Sequence, residues 1–197
     1  MTVKTGRARP MAVEERRASI VDVAIPLIIE RGGEVTTREI ADAAGIAEGT
    51  VFRAFADKNE IIDAAIARVM DPAETLTELE AIGAALPLAE KIERVVTVLQ
   101  ARVDAVVRLM AALGPRDHAR HRAGDDAHKP PLSETTGVVE RLLEPDRDRL
   151  RVPVATAVDY LRILVFGTSM PFLSDGSTSD PSQLADFILR GISQEGR

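Results

Sequence analysis

The chain has 197 residues, 45% of them hydrophobic, with 25 Lys or Arg against 31 Asp or Glu and a formal net charge of −6. That apolar share excludes a disordered tail, and the length allows one large core or a small one beside a medium one. There is no cysteine, which excludes disulfide stapling and thiolate metal sites and suits a reducing cytoplasm, while the polar, basic start has no apolar run that would serve as a signal or membrane span.

Residues 1–12 hold Gly6, Pro10 and basic side chains without periodicity. They read as a flexible basic arm that follows the DNA backbone or minor groove, or as a solvated tail. From Val13 to Arg31 the positions Ile20, Val21, Ala24, Ile25, Ile28 and Ile29 form a helical stripe ended by Gly32-Gly33. Pro26 inside it removes an amide and predicts a kink.

Thr36 and Glu39 have the spacing of a capping box, which starts the next helix at a defined residue. Ile40, Ala41 and Ala44 share its stripe, and Gly45 can stop it by taking positive φ at no steric cost. Ile46 fills the angle to a second short helix whose Val51 and Phe55 return to the core. Glu48, Thr50, Phe52 and Arg53 are left for its outer face or edge. A short helix showing small and cationic groups fits a major groove, although the same pattern also describes a three-helix packing unit with no ligand.

Asp57 is expected to open the following helix through its own capping box with Glu60, and Ile61, Ile62, Ala65, Ile66 and Val69 supply the buried face. Lys58 stands at its first position, where an exposed amine could touch a phosphate. Pro72 marks the expected domain boundary. Through Pro72 there are ten Lys or Arg against twelve Asp or Glu, so the positive groups Lys4, Arg7, Arg9, Arg16, Arg17, Arg38, Arg53 and Lys58 predict few phosphate contacts per subunit and a need for two copies.

A short helix is expected from Ala73 to about Ile82, and a long one from Pro87 to Leu113 whose β-branched content suggests burial on much of its circumference. Residues 115–131 are charged and read as a mobile loop. They contain His118, His121 and His128, and spacing alone makes metal binding by His118 and His121 with Asp125 or Asp126 conceivable. No apolar shell surrounds them, so no metal site is assigned. A short helix follows from Leu132 to Leu143, then a charged connector from Asp146 to Leu150. The next helix runs from Pro153 to about Met170, and the last is opened by Asp180 as cap and Pro181 at the first position. Ala157, Leu161, Gly167, Ala185 and Phe187 are candidates for a four-helix seam across a twofold axis.

Ile20-Val21-Asp22 through Glu30-Arg31-Gly32, then Thr36 with Ile40-Ala41, Ala44-Gly45-Ile46, Gly49-Thr50-Val51-Phe52, Phe55, and Asp57-Lys58 with Ile61, together resemble the TetR family of bacterial transcriptional regulators. The resemblance covers about residues 16–66. It implies an all-α homodimer with an N-terminal three-helix helix-turn-helix domain, residues 13–71, joined to a larger helical ligand-binding and dimerisation domain, residues 72–197. Residues 48–53 would form the recognition helix and the last two helices the dimer contact. It further implies a cytoplasmic repressor that binds a palindromic double-stranded operator and is released by a small-molecule effector. The alternative is a dimeric helical small-molecule-binding or protein-interaction module without DNA binding.

The chain departs from that family where a serine cap is usual and Ala47 stands, and where a phosphate-bonding tyrosine is usual and Phe52 stands. The frequent histidine beside it is Ala54. Anchoring is therefore expected to lean on Thr37, Arg38, Arg53, Lys58 and the arm. Arg53 and Thr50 are expected at the groove, with Glu48 able to accept from a cytosine amine or to serve as a favourable helix-start carboxylate. Candidate pocket residues are Leu99, Val103, Met110, Tyr160, Leu164 and Phe166, each of which would equally serve as core. Aromatics make up 3% of the chain, with no Trp, which argues against an aromatic cage for a large planar cation and leaves open an aliphatic or small polar effector, or none. No cofactor is implied. Nor is an enzyme, since phosphate loop and zinc-hydrolase spacings are absent and Ser169, in Gly167-Thr168-Ser169-Met170-Pro171, lacks the second glycine of a nucleophile elbow.

Overall fold

Local capping and apolar spacing translate directly into helices. In a computed structural model that describes residues 13–114, 132–173 and 180–193, the described residues form helices and 3-10 turns, with one isolated bridge between Leu150 and Ser193. The arm 1–12, the loop 115–131 with its three histidines, and residues 174–179 and 194–197 lie outside the described residues. The chain divides into two units: residues through Arg68 with Ala111–Gly114, and Val69–Met110 with the residues from Pro115 on.

In the first unit, α1 (Val13–Arg31) runs as helix through Pro26, whose side is exposed. Its buried stripe is Ile20, Val21, Ala24 and Ile28. A 3-10 turn, Gly32–Glu34, follows. Gly32 has φ +60, and a Cβ there would clash with the carbonyl oxygen of Ala112, so both conformation and space require glycine. Helices α2 (Thr37–Ala43), α3 (Glu48–Ala54) and α4 (Lys58–Met70) then bury Ile40, Ala41, Val51, Phe55, Ile61, Ile62, Ala65 and Ile66 together with Val35.

The second unit is built from α5 (Ala73–Glu80), α6 (Leu88–Leu113, all but its last turn), α7 (Thr136–Leu143), α8 (Val154–Ser169) and α9 (Pro181–Ile192). Leu79, Ile92, Val95, Val96, Leu99, Val103, Val139, Leu143, Val158, Leu161, Val165, Leu184 and Ile188 meet in one core. Helix α6 is more amphipathic than its apolar content suggested, because Glu93, Arg94, Thr97 and Ala101 are exposed. At its other end α9 starts as expected, with the Asp180 carboxylate accepting the amides of Ser182 and Gln183.

The expected charged connector from Asp146 to Leu150 is ordered instead as a 3-10 turn, Glu144–Arg149. Asp146 is 8% exposed and Lys91 of α6 only 1%, and Lys91 Nζ donates to Asp146 Oδ2 at 2.6 Å. Burial alone would raise the Asp146 carboxyl, but hydrogen bonds from Lys91 and Arg149 overcome it and leave the group below its ordinary range. Alternating polar residues in sequence gave no sign of this pair, since a charge in a connector is most often solvated.

The seam candidates also need correction. Ala157, Leu161 and Ala185 are buried in the core of their own unit, and only Phe187 of that set is well exposed. The outward apolar face of α8 and α9 is carried by Tyr160, Ile163 and Phe187.

Candidate nucleic-acid interface

The two short helices of the first unit are fixed by different means. Thr36 Oγ1 accepts the Glu39 amide at 3.2 Å and Glu39 Oε2 accepts the Thr36 amide at 2.9 Å, which completes the expected capping box. The Thr36 amide and the Thr36 hydroxyl, which also donates to Glu39 Oε2 at 2.9 Å, hold the Glu39 carboxyl below its ordinary range, with Arg31, 2.5 Å away, adding a smaller pull. Gly45 takes φ +65 after α2, and the Ile46 amide donates back to the Ala41 carbonyl at 3.0 Å. This closes the turn that separates the helices.

Helix α3 has no such cap. Ala47 occupies the cap position in extended backbone and supplies no side-chain bond. The start of α3 is tied instead by Thr37 Oγ1 of α2, which donates to Glu48 Oε1 at 2.7 Å. Val51 is fully buried, and Phe55 just past the helix end is 2% exposed, so the inner face of α3 is fixed against α1 and α2. Glu48, Gly49, Phe52 and Arg53 are thereby turned to solvent, with Thr50 half-buried beside them.

The expected contact residues therefore fall into two groups. Arg38 and Arg53 are exposed and, among the described residues, carry no ion pair. Their guanidinium groups are available to phosphate or to a guanine edge. Thr37 and Glu48 are bonded to each other, and Lys58 is not the free amine that its position suggested. Lys58 is half-buried and its Nζ donates to the Gly33 carbonyl at 2.6 Å, which satisfies the turn after α1. The carbonyl that captures it is 25 residues away in the chain, so sequence spacing gave no warning.

The start of α4 also differs from expectation. Asp57 Oδ1 accepts the Glu60 amide at 2.9 Å as a cap should, but Glu60 Oε2 reaches the amide of Ala56, at 2.6 Å, rather than that of Asp57. The Ala56 amide, with help from Arg17, holds the Glu60 carboxyl below its ordinary range.

The six pocket candidates differ in burial. Leu99 and Val103 are closed into the core, Met110, Leu164 and Phe166 are partly buried, and Tyr160 is 50% exposed. Tyr160 and Leu164 instead line an outward groove of about 370 Å³ with Val152, Ile163, Phe187 and Gly191. Among the described residues there is no cluster of side chains suited to hold a metal ion.

A buried-backed short helix set across a second one by a glycine turn defines a helix-turn-helix protein. The family profile described as bacterial regulatory proteins, tetR family, matches residues 20–65. The HTH-type transcriptional repressor KstR2 of Rhodococcus jostii is 30% identical over 156 residues, 75% of this chain and 74% of that protein. KstR2 of Mycobacterium tuberculosis is 38% identical over 60 residues, which span only 30% of each chain. The solved structure of that ketosteroid transcriptional regulator aligns with a TM-score of 0.54 at 20% identity, covering 96% of this chain and 100% of the other. The chain belongs to the TetR family of transcriptional regulators, a family of DNA-binding proteins and not of enzymes.

Proposed function

We propose that the chain is a sequence-specific repressor that binds a palindromic duplex as a homodimer and is released by a small-molecule effector. The observation that carries this reading is the outward face of α3, where exposed Arg53 and Phe52 stand over fully buried Val51. Residues 13–71 act as the DNA-binding domain. Arg53 and Thr50 meet base edges, Arg38 meets the backbone, and Thr37 orients Glu48. Lys58 keeps its bond to Gly33 and turns remaining donors outward. Phe52 supplies packing where it cannot supply a hydroxyl.

Residues 72–197 serve for dimerisation and effector binding. The dimer contact uses Tyr160, Ile163 and Phe187, whose exposure at 50%, 62% and 66% on the last two helices is otherwise costly in water. The effector is an aliphatic or small polar molecule admitted beside Leu99, Val103, Met110, Leu164 and Phe166, and its binding alters the spacing of the two recognition helices. No helix of the described residues is long and apolar enough to cross a membrane, and a cytoplasmic location suits an operator-binding protein.

Selection of genomic fragments with the purified chain, followed by retardation of the recovered duplex and a scrambled control, tests the reading. Arg53→Ala is expected to weaken the recovered duplex by about 1–3 kcal/mol while leaving the scrambled one nearly unchanged. Absence of any preferred duplex at low salt would leave the chain as an interaction module on a regulator fold.

A further inference from the structure

Arg17 is one of the positive groups near the start of the domain, but its guanidinium is bonded within the protein. One guanidinium nitrogen donates to the carbonyl of Ala54, the last residue of α3, and the other donates to Glu60 Oε1 at 2.7 Å. The guanidinium carbon lies 4.1 Å from the centroid of the Phe55 ring. Glu60 in turn accepts the amide of Ala56 at 2.6 Å. The exit of α3 is thus gripped at a carbonyl, a ring face and an amide by one residue from α1 and one from α4.

The grip matters because α3 cannot orient itself. Seven residues are too few to be stable as an isolated helix, its cap position is Ala47, and its last carbonyls have no partners within the helix. A guanidinium at that end satisfies a carbonyl, opposes the helix dipole and, being a planar fork, fixes direction as well as charge. We propose that Arg17 is the positioning residue of α3, setting the angle at which Arg53 and Thr50 meet the groove, and that it does this in place of a phosphate contact. The proposal rests on the reading of α3 as the recognition helix.

The test uses the full chain with Arg17→Ala and Arg17→Lys, at a temperature where each variant retains wild-type helical circular dichroism. Amide exchange at Phe55 and Ala56 is expected to accelerate about tenfold or more in both, with Ile61 and Ile62 unchanged. Affinity for the duplex recovered by genomic selection is expected to fall about tenfold or more, with scrambled-duplex affinity and the salt slope unchanged. Lysine keeps the charge without the fork and should behave as alanine. Equal losses on both duplexes with a shallower salt slope, rescue by lysine, or unchanged exchange at Phe55 and Ala56 would each overturn the proposal. A wild-type chain that prefers no duplex overturns the groove reading itself, a result separable from a preference lost only in the variants.

Discussion

Helices α2 and α3 have the same length, seven residues, and lie on either side of one glycine turn, yet they are held in opposite ways. Helix α2 carries its own start signal, with both partners of the capping box three residues apart. Helix α3 is held from outside, by Thr37 at its start and by Arg17 at its exit. An element that presents residues to a ligand must keep its outer face free, so its fixation is displaced onto neighbours. Position and presentation are thereby separated: Val51 and Arg17 hold the helix, and Arg53 is left exposed with Thr50 half-buried beside it.

The larger unit repeats the contrast. Helix α9 is self-started by Asp180 and Pro181, whereas the turn Glu144–Arg149 depends on a lysine 55 residues away. The largest expected effect follows from removing that distant partner. Lys91→Met should destabilise the protein by about 3 kcal/mol, the low end of the range for orphaning a buried charge, because Arg149 still bonds Asp146 at 2.9 Å. Adding Asp146→Asn should recover part of the loss. Urea unfolding of the single and double variants measures it, and a loss below about 1 kcal/mol, the range of an exposed pair, would show that the turn is held locally after all.

A paired substitution at the two short helices comes next in size. Thr36→Ala should cost about 1 kcal/mol by removing the cap of α2, and Ala47→Ser should add about 1 kcal/mol by giving α3 the cap that it lacks. Ala47 already has the extended backbone of a cap residue, so the serine needs no rearrangement. If Ala47→Ser leaves the unfolding midpoint unmoved, Thr37 and Glu48 already supply all the fixation that the start of α3 can use.

The smallest effect concerns pH. Glu39 and Glu60 have carboxyls held below the ordinary value of 4.5 in the folded chain. A depressed folded value means that the unfolded state binds the proton more readily. Their contribution is therefore fully present above the unfolded value and is lost as pH falls through the folded one. Stability measured from pH 6 downward should decline less steeply in Glu39→Gln and Glu60→Gln than in the wild type. An identical slope would mean that the bonds to Thr36 and Ala56 do not discriminate between carboxylate and carboxyl.

Much of the architecture was legible from spacing. The helices of the first unit, the capping box at Thr36, the positive φ of Gly45 and the Asp180 start of the last helix are all local signals, decided by groups a few residues apart. Site residues were less so. Lys58, read as a free amine, is bonded to Gly33, Glu60 reaches Ala56 instead of Asp57, and Ala157, Leu161 and Ala185 face their own core rather than solvent. In the last case periodicity located a stripe on each helix but could not say which side the neighbouring helix would cover, since both sides of α8 are apolar.

What the sequence determined by itself was where most of the helices begin and end, though not the 3-10 turns Ser133–Thr135 and Glu144–Arg149, and that two short helices flank a glycine turn, because capping and backbone preference act over three or four residues. Only the tertiary structure decided which polar groups remain available: Arg53 stays free while Arg17 and Lys58 do not, and Lys91 is buried with Asp146. The physical reason is that a long cationic side chain takes whichever acceptor folding brings within reach, and those acceptors lie 25 to 55 residues away in the chain.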